Sequence, residues 1–93
     1  MKLHQKGYLL VELSKVTDIW DQVLITQALD EYALTGDYWE KNLRVALDEL
    51  AAAGLIARID QKLETSSGKS KLHFRYQLSE FGRTRMIDTG LLT

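Results

Sequence analysis

The stretch from Ala46 to Arg85, ALDELAAAGLIARIDQKLETSSGKSKLHFRYQLSEFGRTR, constrains the fold more than any other part of the 93-residue chain. Its hydrophobic period changes twice. Up to Ala53 apolar residues recur at spacings of three and four, as on one face of a helix, and Gly54 stands where a helix exits through a left-handed residue. From Leu55 the period is two. Ala57, Ile59, Gln61 and Leu63 alternate with Arg58, Asp60 and Lys62, and beyond a Ser67-Gly68 turn Leu72, Phe74, Tyr76 and Leu78 alternate with Lys71, His73, Arg75 and Gln77. Such a turn sets Leu63 opposite Leu72 and Ile59 opposite Tyr76 on one face. That apolar face is expected to cover the helices, leaving Arg58, Lys62, Lys71, His73 and Arg75 on the other. Ser79 then caps a last helix, Glu80 to about Leu91, with Phe81, Met86, Ile87, Leu91 and Leu92 as its apolar residues.

Upstream, Leu3 to about Val16 reads as a first helix with Tyr8, Leu9, Val11 (or Leu10), Leu13 and Val16 on one broad face. Thr17 to Gln27 has two readings. Asp18 caps a long helix with Asp21 near its positive end, or Val23-Leu24-Ile25 is a short strand and Thr26 caps a helix from Gln27 to Leu34. In either case Leu29 and Tyr32 or Ala33 face inward and Gly36 ends the segment. Asp37 and Glu40 form a capping-box-like start to a third helix reaching about Ala53. Trp39, Leu43, Ala46, Leu47 and Leu50 make its buried stripe; Lys41, Asn42, Arg44, Val45, Asp48 and Glu49 lie on or near the other side. The expected class is α+β, mostly helical, as one domain over residues 1–93: three helices, a two- or three-stranded sheet built on the hairpin, and a C-terminal helix.

Composition excludes several kinds of function. There is no cysteine, and His4 and His73 have no metal-ligand spacing, so no metal site is expected. No serine or threonine stands in a nucleophile context and no glycine-rich phosphate loop exists, so no catalysis and no cofactor is expected. The apolar run Tyr8 to Val11 is too short for a signal peptide or a membrane span, which makes a cytoplasmic protein the expectation. Asp30-Glu31 and Asp48-Glu49 read as solvated helix faces, and Trp20, Tyr38 and Trp39 as packing residues.

The net charge is only −1, but it is unevenly spread. Met1 to Gly54 holds five basic and nine acidic side chains, whereas Leu55 to Arg85 holds seven basic and three acidic. A helix with Lys41, Asn42 and Arg44 near its start carries the chemistry that reads guanine and adenine in a major groove. Lys69 and Lys71 beside a flexible Ser/Gly tip suit phosphate contacts, with Lys62 and Arg75 on the same hairpin. Against this, Asp37 and Glu40 place negative charge where phosphates would approach.

The order helix, hairpin, helix is that of a winged helix-turn-helix. The run L-D-E-L-A-A-A-G-L-I-A-R-I at Leu47 to Ile59, with R-Y-Q-L-S-E-F-G-R at Arg75 to Arg83, resembles the winged-helix transcription regulators of the MarR and PadR type over roughly Thr26 to Arg85. The resemblance implies duplex DNA binding through the third helix and the wing, carried here by Tyr38, Lys41, Asn42, Arg44, Lys69 and Lys71. The expectation is therefore a small transcriptional regulator, a homodimer through its first and last helices, with a winged-helix protein–protein module as the alternative.

Overall fold

The computed structural model describes residues 4–92. The elements run α1 (Gln5–Ser14), β1 (Ile19–Trp20), α2 (Asp21–Glu31), α3 (Asp37–Ala52), β2 (Ile56–Ser66), β3 (Lys69–Leu78) and α4 (Glu80–Asp88). The chain is thus α+β and mostly helical, with four helices and a three-stranded antiparallel sheet in the order β1-β3-β2. None of the described helices is long and apolar enough to cross a membrane.

The core draws on every helix and on the sheet. Leu9, Leu10 and Leu13 from α1 meet Leu24, Ile25 and Ala28 from α2, then Leu43, Ala46, Leu47 and Leu50 from α3. Ile56, Tyr76 and Met86 close the cluster. Each fully buried leucine contributes about 1.5–3 kcal/mol relative to an exposed one. In α1 this burial offsets Gly7, a poor helix former. That helix is capped by His4, whose Nδ1 accepts from the Lys6 N–H at 3.3 Å, and it ends at Ser14 rather than Val16. The expected first residue, Leu3, lies outside the described residues.

The first reading of Thr17–Gln27 holds in part: one helix carries Asp21 in its first turn, but Trp20 and not Asp18 stands at its N-cap. The strand is Ile19–Trp20, and Val23–Ile25 lies inside α2, where Leu24 and Ile25 are fully buried. Thr26 caps nothing; its hydroxyl donates back to the Gln22 carbonyl at 2.8 Å. Asp18 pairs instead with Arg75, and Asp21 opens α2.

Three helices end in one hydrogen-bond pattern, with the sixth residue donating to the first and the fifth to the second. In α3 the pair is Leu55 to Leu50 and Gly54 to Ala51; in α4 it is Leu91 to Met86 and Gly90 to Ile87. In α2 it is Leu34 to Leu29 and Ala33 to Asp30. Gly54 and Gly90 take φ +79° and +80°, but the corresponding residue of α2 is Ala33, at φ +52°. Gly36, expected to end this helix, instead precedes α3 at φ +98°. No side chain caps α3, so the Asp37–Glu40 capping box does not form.

The hairpin register is the expected one from Asp60 to Ser66, including Leu63 opposite Leu72. A bulge between Arg58 and Asp60 then shifts it by one residue. Tyr76 therefore faces Arg58 and not Ile59. A one-residue shift reverses the side on which a strand residue points, so Arg58 leaves the polar face and lies over the Phe74 ring, 4.2 Å from its centroid. Its Nε donates to the Tyr76 hydroxyl at 3.1 Å and its guanidinium pairs with Asp48 of α3.

The outer part of the hairpin projects beyond the helices. Leu63 and Leu72, expected to cover the core, are exposed, and His73, expected on the outer face, is buried. The α4 helix ends at Asp88, and Leu91 and Leu92 fold back against the core. Ser79 caps α4 as expected: its Oγ accepts from Gly82 N–H at 2.8 Å and lies 2.6 and 2.9 Å from the carbonyl oxygens of Gly54 and Leu55.

Candidate nucleic-acid interface

The candidate surface is built where β1 runs directly into α2. Strand β1 pairs with only Arg75 and Tyr76 of β3. Where that ladder stops, the Asp21 side chain continues it: Oδ2 accepts from the Phe74 N–H at 3.1 Å. Asp21 is 1% exposed. Its other contacts are His73 Nδ1, 3.2 Å from Oδ1, and Arg44 Nη1, 2.8 Å from Oδ2. A carboxylate so deeply buried requires this degree of satisfaction. Asp21 thus joins the start of α2 to β3 and to α3.

Arg44 accordingly points inward and sideways. Its Nη2 donates to Gln22 Oε1 at 3.0 Å and to Glu40 Oε1 at 3.2 Å. Glu40 also receives Lys71 Nζ from the hairpin at 2.7 Å. Hydrogen bonding from Lys71, with a smaller contribution from Arg44, outweighs partial burial and holds the Glu40 carboxyl below the usual glutamate range. The acidic entry to α3 is therefore partly neutralised within the chain, and two of the expected nucleic-acid cations do the neutralising.

The remaining expected cations fall into two groups. Arg75 is held between Asp18 at 3.5 Å and Asp60 at 3.4 Å, with its guanidinium 5.8 Å from the Trp20 ring centroid. Lys62 Nζ sits 4.7 Å from the same centroid, a cation–π contact. Lys41, on α3, and Lys69, beside the turn, are exposed and have no ion pair among the described residues. Tyr38 is exposed and stacks edge-on against Trp39 with ring centroids 5.0 Å apart, while Asn42 is half-buried.

Two clefts meet at Lys71. One, about 220 Å³, is lined by Asp37, Glu40, Lys41, Arg44 and Lys71. The other, about 350 Å³, lies between the start of α2 and the hairpin, with Trp20, Val23, Lys62, Glu64, Lys71 and His73 on its walls. The structure thus brings Lys41, Arg44, Lys62 and Lys71 around one corner of the molecule. Lys69 stands apart at the hairpin tip, and Arg75 lies on the sheet.

Asp21, His73 and Glu40 organise this corner, and the sequence assigned them other roles. His73 lies at an outward position by strand parity, and Asp21 reads as a residue of a helix start. Only their meeting across 52 positions of sequence reveals the pair. Comparison of the chain with protein-family models and with curated proteins finds no match to either.

Proposed function

We propose that the chain is a winged helix-turn-helix domain that binds double-stranded DNA as a small transcriptional regulator. In this reading α3 enters a major groove and the β2–β3 hairpin is the wing. The observation that carries it is the Lys71–Glu40 contact at 2.7 Å. It ties the hairpin to the first turn of α3, so helix and wing present one surface to a rod-shaped ligand. Lys41 lines the cleft beside that contact, Tyr38 is exposed on the same turn of α3, and Lys69 lies farther out at the hairpin tip. A groove about 12 Å wide accepts a helix in this setting. Phosphate contacts from exposed lysines give affinity without sequence information. Duplex binding measured across a salt series tests the reading: log K falls linearly with log salt concentration if lysine–phosphate contacts carry it. No binding at low salt defeats it.

A second reading, a winged helix that docks on another protein, is favoured by one specific observation. Val45, on the outer side of α3, is 52% exposed, and Leu63 on the hairpin is 66% exposed. Apolar side chains there suit a protein surface better than a phosphate backbone, and this reading survives if duplex binding fails.

A further inference from the structure

Strand β2 is an edge strand, paired only with β3, and it is exposed from Ala57 to Ser66. Its outward-pointing backbone groups follow from one hydrogen bond. Phe74 donates its N–H to Asp21, away from β2. In an antiparallel ladder both members of a facing pair point toward each other or both away. The Phe74 partner is Gln61, so Gln61, and by alternation Leu63 and Thr65, turn N–H and C=O to the open edge, where the Gln61 N–H donates to Asp60 Oδ1 at 2.8 Å. These are the groups that template a further strand.

The side chains along that edge are self-complementary. Asp60, Lys62 and Glu64 alternate in sign on one face, and Gln61, Leu63 and Thr65 are uncharged on the other. We propose that β2 pairs antiparallel with β2 of a second copy of this chain, with a twofold axis at Leu63, joining the two sheets into one of six strands. Leu63 then faces Leu63 of the second copy. Lys62 faces Glu64 of the second copy, twice by symmetry, and Gln61 faces Thr65. Such facing opposite charges stabilise a pair, and facing like charges oppose it.

Neither charged group has a close ion pair among the described residues, although Lys62 must leave the Trp20 ring to reach the open edge. Glu64 is 62% exposed and has only His73 Nε2 at 4.0 Å. Other registers are worse. Centring the pair on Lys62 serves the backbone equally well but sets that lysine against itself and Asp60 against Glu64. Centring it on Gln61 restores opposite charges but draws the bulge at Arg58–Asp60 into the ladder. Edge charges and a bulge discourage pairing with strands in general, but alternating charges are matched by an antiparallel copy of the same strand. The pairing stands independently of DNA binding.

Analytical ultracentrifugation of the full chain over a wide concentration range, with two charge reversals, tests the proposal. The wild type is expected to show a monomer–dimer equilibrium. Lys62→Glu and Glu64→Lys each oppose like charges twice and weaken dimerisation by about tenfold or more. Mixing the two variants places opposite charges together in both pairs and restores the dimer as a heterodimer. Leu63→Pro removes an outward N–H that the β2–β3 ladder does not use, so it abolishes the dimer while circular dichroism shows the fold retained. A wild type that stays monomeric throughout overturns the proposal. So does a dimer insensitive to the charge reversals, or a mixture that fails to restore association.

Discussion

Arg44 and Asp21 form an ion pair at 2.8 Å that fastens α3 to the junction of β1 and α2. The arginine side chain is 23% exposed and the aspartate side chain 2%. Removing the cation leaves a buried carboxylate with only the His73 ring and the Phe74 amide. Arg44→Met is therefore expected to destabilise the fold by about 3 kcal/mol. Urea denaturation followed by circular dichroism reads this as a fall in midpoint at unchanged slope. An unaltered midpoint means that His73 and Phe74 satisfy Asp21 without the arginine.

Glu40 gives the stability a pH dependence of known sign. Its folded-state carboxyl titrates below the ordinary value of 4.5 because Lys71 and Arg44 hydrogen-bond to it. A lowered folded pKa contributes stability that is fully present above the unfolded value and disappears as pH falls through the folded one. Glu40→Gln should thus cost up to about 1 kcal/mol at neutral pH, since the Lys71 contact is half exposed. The difference from wild type should close on acidification. Paired denaturation curves at neutral and acid pH check it; a difference that grows in acid contradicts the assignment.

The hairpin shows what could be read from the sequence and what could not. Alternation and the Ser67-Gly68 turn were enough for the register from Asp60 to Ser66, because a two-residue turn fixes the pairing near it. The bulge beyond was invisible, since Arg58-Ile59-Asp60 alternates as smoothly as its neighbours. One extra residue nonetheless moved Arg58 from the polar face onto Phe74 and Tyr76. Glycine signals behaved similarly. Gly54 marked the end of α3 correctly, but α2 ends on an alanine in the same geometry, so its true stop carried no signal and Gly36 drew the boundary late. In the candidate site, residue type identified the exposed Lys41 and Lys69. It could not show that Arg44, Lys71 and Arg75 have acidic partners from distant segments.

The alanine at the end of α2 offers a stabilising change. Ala33 sits at φ +52°, where its Cβ crowds the following carbonyl and glycine carries no such penalty. The backbone hydrogen bonds there already match those made around Gly54 and Gly90. Ala33→Gly should raise stability by about 0.5–1 kcal/mol, despite the greater freedom glycine gives the unfolded chain. Thermal unfolding reads it as a higher midpoint, and a lower one shows that unfolded-state entropy dominates.

Gly82 is required for a different reason. A Cβ built there would lie 2.0 Å from the Leu55 carbonyl oxygen, a backbone atom that cannot swing aside. The close approach is what lets Ser79 bridge Gly54, Leu55 and the first turn of α4. Gly82→Ala should cost about 3 kcal/mol or more, at the upper end of overpacking effects. Hydrogen exchange should show α4 losing protection first, because its contact with Leu55 is the one broken. Uniform loss of protection across the chain would mean that α4 unfolds only together with the core.

Free and paired cations separate when DNA binding is dissected by mutation. Lys41 and Lys69 are exposed and make no ion pair among the described residues, so Lys41→Ala and Lys69→Ala should leave the unfolding midpoint unchanged. Each should flatten the salt slope of duplex binding by roughly one unit, the effect of one lost phosphate contact. Arg75 is held by Asp18 and Asp60, so Arg75→Ala should lower stability and leave that slope as it was. Lys71 bridges the two classes. Its ammonium is half exposed but already 2.7 Å from Glu40, so part of its charge is neutralised within the chain. Lys71→Ala should change the slope by less than one unit, and Glu40→Gln, which frees the hairpin from α3, should weaken duplex binding. Fluorescence anisotropy on a short labelled duplex at several salt concentrations measures all five variants. If Glu40→Gln strengthens binding, the Lys71–Glu40 contact competes with phosphate and does not position the hairpin for DNA.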